Sequence, residues 1–215
     1  MTIFTRMKTP AILLMLVVQH CCIAATETNF VSVGEWSNPV SDSYGYRLRG
    51  RLLLCQVPWR GPASTPDIGV YLELEEISDF SVAPVQVLCD LSPAKHSDGL
   101  LCELRYTDGR PVAEGGIYSG GVPGSCWITL PAYSSIRLKV SGGTAKATQD
   151  WIQITLSRQS WAFPSKNTND CFLSGTFTVN PPAELVTPYT PSNYHVWKGT
   201  LTLPAVRIPV KRLKE

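Results

Sequence analysis

Apolar residues recur at every second position in short runs along most of this chain, and clusters of Gly, Pro, Asn, Asp and Ser separate the runs. A period of two puts successive side chains on opposite faces of an extended backbone. The pattern predicts strands at 46–55, 69–77, 82–89, 101–106, 126–130, 135–140, 151–156, 172–179 and 196–203. Another strand is expected near 30–36, with Val206, Ile208 and Val210 continuing the last run. No segment after residue 30 keeps a helical period, so nine or ten short strands have no helices to cover them. They must pack sheet on sheet, as an all-β antiparallel β-sandwich of immunoglobulin-like or jelly-roll-like form.

The same alternation assigns faces. Val70, Leu72 and Leu74 point inward, leaving Tyr71, Glu73 and Glu75 outside; Ile136, Leu138 and Val140 do the same against Arg137 and Lys139. Ile152, Ile154 and Leu156 point inward, with Trp151, Gln153 and Thr155 on the other side. Arg47, Arg49 and Arg51 face outward in their run. If that run neighbours the one holding Glu73 and Glu75, an arginine row meets a glutamate row and helps set register.

Three runs share one form, apolar-x-Gly-x-apolar-x-apolar: LRGRLLL at 48–54, LSGTFTV at 173–179 and WKGTLTL at 197–203. In each, the glycine (Gly50, Gly175, Gly199) has the parity of the inward residues. An inward glycine takes a side chain out of the core, so either a bulky residue such as Trp36, Trp127 or Trp197 presses onto the bare backbone, or the strand bulges there. The uneven spacing argues against a structural repeat.

Three connections are long: 108–125, opening on the Asp108-Gly109 turn; 157–170, polar apart from Trp161 and Phe163; and 180–195, rich in proline. The last two flank one strand and are expected at opposite ends of the domain.

The N-terminus places the chain outside the cytoplasm. Arg6 and Lys8 precede the apolar run 11–18, which leads to Ala24-Ala25, the layout of a secretory signal peptide over 1–25. The run falls short of the roughly 20 residues a membrane span needs, with a retained anchor as the alternative. The single sandwich domain then covers 26–210, and 211–215 forms a basic tail. The signal takes two of the 19 Lys+Arg, leaving 17 against 17 Asp+Glu, a net charge of zero. A neutral domain lacks the basic footprint of nucleic-acid binding. Secreted, periplasmic or envelope localisation follows, with an unknown protein or envelope component as the expected partner.

Export also frames the cysteines. Cys55, Cys89, Cys102, Cys126 and Cys171 follow the signal, without a C-x-x-C pair, and His96 and His195 stand far apart. A structural zinc site has no spacing to support it, and disulfides are the natural use of cysteine in an oxidising compartment. Cys89 and Cys102 bracket one short polar loop and are the candidate pair; an odd count leaves at least one thiol over.

Chemistry is harder to find. Cys171 with His195 would need a nucleophile–base arrangement that no local signature supports, and there is no G-x-S-x-G elbow. The carboxylates fall mostly on outward positions or in turns, where solvation explains them without a glycosidase pair. No metal or cofactor motif occurs, so none is expected, and the chain reads as non-enzymatic. Aromatic rings are the remaining handle. Trp151, outward by parity, and Trp161, in a connection, are the candidate ligand-stacking residues of a carbohydrate-binding alternative, with Tyr118, Tyr133, Tyr189 and Tyr194 near connections.

Three stretches, VYLELEEIS at 70–78, ELRYTDGRPV at 103–112 and ITLPAYSSIRLKV at 128–140, resemble hairpin idioms of secreted bacterial immunoglobulin-like β-sandwich modules found in uncharacterised envelope proteins. Ala132 and Tyr133 depart from the Pro-Gly usual in that turn, and Glu76 stands where Asn is common. The resemblance implies a binding or scaffolding role in adhesion, envelope structure or protein contact, and brings no catalytic residues with it.

Overall fold

The structure, a computed structural model, describes residues 30–56, 68–79, 84–89, 99–115, 126–147, 151–156, 159–164, 170–181 and 195–210. The expected signal peptide at 1–25 and basic tail at 211–215, with His96, Tyr118, Tyr189 and Tyr194, lie outside the described residues. Thirteen strands are described: β1 (Phe30–Val33), β2 (Val40–Ser41), β3 (Arg47–Gln56), β4 (Ile68–Glu76), β5 (Val85–Cys89), β6 (Gly99–Tyr106), β7 (Cys126–Leu130), β8 (Ser135–Ala147), β9 (Trp151–Leu156), β10 (Gln159–Pro164), β11 (Cys171–Val179), β12 (His195–Val196) and β13 (Gly199–Ile208).

One sheet has the order β1-β3-β4-β8-β9-β10, with β2 also on β3; the others are β13-β11-β6 and β12-β5-β7. Every pairing is antiparallel except the short β12–β5 contact, which is parallel. The fold is an all-β sandwich. Among the described residues one core draws Leu52, Leu72 and Ile154 from the large sheet, Leu173, Phe177 and Leu201 from the second, and Val87, Ile128 and Leu130 from the third.

Several strands depart from the expected bounds: the expected run 196–203 breaks at Trp197-Lys198 into β12 and β13, β1 stops at Val33, and two differences carry more weight. β8 runs on to Ala147, although Gly142-Gly143 looks like a break. Between Tyr71↔Lys139 and Gly69↔Thr144 the β4–β8 register shifts, so the glycines carry a bulge rather than a strand end. The connection 157–170 holds a whole strand, β10. Its Gln159, Trp161 and Phe163 are buried in alternation, but a glutamine in the inward set hid the period. That glutamine is satisfied: its side-chain amide donates to the Cys102 carbonyl and accepts from the Cys102 N–H, both at 2.9 Å. The two bonds stitch β10, at the edge of the large sheet, to β6 in the second. After the Asp108-Gly109 turn the chain folds back on β6 through Arg105↔Pro111, then crosses to β10 through Glu114↔Trp161. The turn is built as its sequence predicts, with Gly109 at φ 84° and Asp108 accepting from the Arg110 N–H and guanidinium. Those bonds, the backbone one foremost, hold the Asp108 carboxyl below its ordinary range.

The three inward glycines have three different reasons. A Cβ on Gly50 would meet Leu203 and Leu201 across the core at 3.0 and 3.2 Å, so leucines from the facing sheet fill the gap. At Gly199 the filler is Trp197, whose ring would lie 2.6 Å from an added Cβ. Gly175 faces backbone, with the Leu101 carbonyl oxygen 2.6 Å from an added Cβ, and the β11–β13 register shifts beside it, opposite Pro204. Pro204 has no N–H to give the ladder, which favours a bulge there. Trp36 and Trp127 are not plugs: Trp36 lies over arginines on the outer face, and Trp127 stands opposite Leu88 on β5–β7. Gly175→Ala is expected to lower stability by about 2–3 kcal/mol, since backbone rather than a side-chain tip must move. A urea midpoint matching the parent would show that β6 yields easily.

Candidate functional site

On the outer face of the large sheet the arginine row does meet the glutamate row. Arg49 stands opposite Glu75 and Arg51 opposite Glu73 in the β3–β4 register, and Arg137 of β8 stands opposite Glu73 on its other side. Arg51 and Arg137 each donate to Glu73 at 2.7 Å, one to each oxygen. Trp36 roofs Arg49 and Arg51, with the guanidinium carbons 4.7 and 4.2 Å from its ring centre, and Arg137 lies over Phe30 at 4.9 Å. Glu73, predicted to face water, is 2 % exposed. Parity placed it outside the core correctly; what shields it is the pair of arginines and their aromatic roof.

A second cluster forms at one end of the sandwich. Antiparallel pairing brings together the start of β3, the end of β4 and the start of β8, while β12 sets His195 opposite Val85, which faces Leu130. Asp42, in the turn before β3, accepts the backbone N–H groups of Tyr44 and Tyr46 at 2.9 and 3.0 Å on Oδ1. Its Oδ2 lies 2.5 Å from His195 Nε2, and the Asp42 side chain is 2 % exposed. The imidazole stacks on Tyr46 at 4.6 Å and 8°, with Tyr44 tilted against it at 4.5 Å. The dyad ties the β12-β5-β7 sheet to the large one.

The neighbouring turn, 131–134, presents Tyr133. Its backbone is left-handed, φ 57°, where glycine is favoured, and its ring is 62 % exposed. Buried Glu76 holds the turn, accepting the Tyr133 N–H on Oε2 and the Ser78 N–H on Oε1, both at 2.9 Å. Glu76 therefore anchors the turn through two backbone amides. Tyr44 is the other presented ring at this end, 73 % exposed.

No protein-family model, curated protein or solved structure matches this chain. Function has to be read from its own residues.

The sequence-predicted site residues are placed apart. Trp151 is outward and 52 % exposed, but Trp161 is 3 % exposed, inside the core opposite Ile154. The two rings lie on opposite faces of one sheet and make no common platform. The cause is β10, which turns the supposed connection into a strand with Trp161 at an inward position. Cys89 and Cys102 stand on strands of different sheets; the cysteine facing Cys89 in register is Cys126. Cys102 is a buried free thiol, as are Cys55 and Cys171. Burial pushes the Cys102 thiol up to about 12; burial, then the charge of Asp170, takes Cys171 to about 11. Cys171 sits on β11 opposite Tyr106 and Ile208, while His195 is bound to Asp42. Asp42, Tyr44 and Tyr46 were missed by sequence reading. The signal available was the D-x-Y-G-Y spacing, in which an aspartate can take the amides two and four residues on.

Proposed function

We propose that the chain is a non-enzymatic, exported sandwich module that binds a protein partner through the end carrying Tyr44, Tyr133 and His195. The single observation that carries this reading is Tyr133. A non-glycine residue held at positive φ costs roughly 1–2 kcal/mol, and strain of that kind persists where the surroundings impose it for a purpose. Here two buried carboxylates, Asp42 and Glu76, fix the backbones of Tyr44 and Tyr133, so two large rings are displayed with little freedom to lose on binding. Tyrosine suits protein contacts because it joins wide apolar area to a hydroxyl. The non-enzymatic part is supported by how the titratable groups are used: Glu73, Glu76, Asp42 and Asp170 each hold backbone amides or arginines of the fold. The envelope setting and the immunoglobulin-like resemblance belong to the same proposal.

Tyr133→Gly tests it. Relief of strain is expected to raise Tm by about 2–8 °C, while crosslinking in the native envelope loses the partner that the parent captures. A variant that melts higher and still captures that partner would sink the reading. A melt shift of the parent with one soluble polysaccharide, abolished by Trp151→Ala, would instead favour sugar binding at Trp151.

A further inference from the structure

We infer that Cys89 and Cys126 form a cross-strand disulfide joining the ends of β5 and β7. The two residues are direct partners in the antiparallel register, following Val85↔Leu130, Val87↔Ile128 and Leu88↔Trp127. Directly opposed residues in such a pair have Cα atoms about 4.5–5.5 Å apart, within the 4.4–6.8 Å that a disulfide spans. Both side chains share the face of Val87 and Ile128: Cys89 belongs to the core and Cys126 packs against it half-buried. A small oxidant can therefore reach the pair from the Cys126 side.

This assignment also accounts for an odd number of cysteines. Cys55, Cys102 and Cys171 are buried on three other strands, and burial raises all three thiols, so little reactive thiolate forms on them. They remain as core side chains. The reaction needs a low-molecular-weight disulfide, of which oxidised glutathione is the simplest. Two S–H bonds break and one Sγ–Sγ bond forms. The two electrons and two protons pass to the glutathione disulfide, which leaves as two thiols. The bridge closes the chain around β6 and fixes the end of β5–β7 opposite the His195 end, independently of whether that end binds a partner.

The test is peptide mapping of the chain from residue 26, equilibrated in an oxidising glutathione buffer, quenched in acid and digested without reductant. The expected product is one linked peptide pair holding Cys89 and Cys126, two hydrogens lighter than its separate halves. Cys55, Cys102 and Cys171 should be recovered alkylated after denaturation. In the same buffer the parent should melt on the order of 10 °C higher than with dithiothreitol. The Cys89→Ser/Cys126→Ser variant should fold and melt alike in both. Recovery of Cys89 and Cys126 alkylated, or of Cys89 linked to Cys102, would overturn the inference, as would a dithiothreitol-sensitive melt in the double variant.

Discussion

Asp42→Ala is expected to destabilise the domain by about 3 kcal/mol. The substitution leaves the Tyr44 and Tyr46 N–H groups without their acceptor and takes away the partner of His195. The exposed Tyr44 N–H can turn to water, but the part-buried Tyr46 N–H left without its acceptor costs about 1–3 kcal/mol, and losing the His195 hydrogen bond adds to that. Asp42→Asn separates the contributions, because its carbonyl oxygen can still accept both amides; it should recover about half of the loss. Urea denaturation of parent and variants gives the values. A loss below about 1 kcal/mol for the alanine variant would mean the turn finds another closure, and that the dyad does not hold the two sheets together.

Glu73→Ala should cost a similar amount, about 2–3 kcal/mol, for a different reason. Glu73 is the shared acceptor of Arg51 and Arg137, so its loss leaves two like charges on β3 and β8, one on each side of β4, with no carboxylate between them. Both arginines retain partial contact with water, which keeps the cost below that of a fully buried pair. Glu75→Ala is the control: one half-exposed pair with Arg49 is lost, and the expected change is about 0.2–1 kcal/mol. A double-mutant cycle through Arg51 and Glu73 would measure the coupling directly. Equal effects at Glu73 and Glu75 would show that the aromatic roof of Trp36 and Phe30 does not shield the central carboxylate.

Much of the architecture was legible because burial on one face of a strand writes itself as a period of two. The runs 126–130 and 151–156 match β7 and β9 residue for residue, and the predicted Arg–Glu facing is the β3–β4 register. Places where the reading failed share a cause. At β10 a buried polar residue, Gln159, is satisfied by backbone from another sheet, and nothing local distinguishes it from a loop glutamine. At β8 a bulge and a strand end use the same glycines.

The candidate site was scarcely legible. Asp42 and His195 are 153 residues apart in sequence, and neither has a neighbour that advertises the other. Trp161 looked available because its segment looked like a connection, and one extra strand buried it. Cys89 was matched with Cys102 because loop length is visible in a sequence, whereas register is not.

By itself the sequence determined the sandwich, the faces of its strands and the inward parity of three glycines, since each follows from local spacing and the need to bury one side of a sheet. Only the tertiary structure decided what fills each glycine, which cysteine faces which, and which carboxylate lies between two arginines. Those outcomes depend on strand order and register between distant segments, which the period of two leaves open.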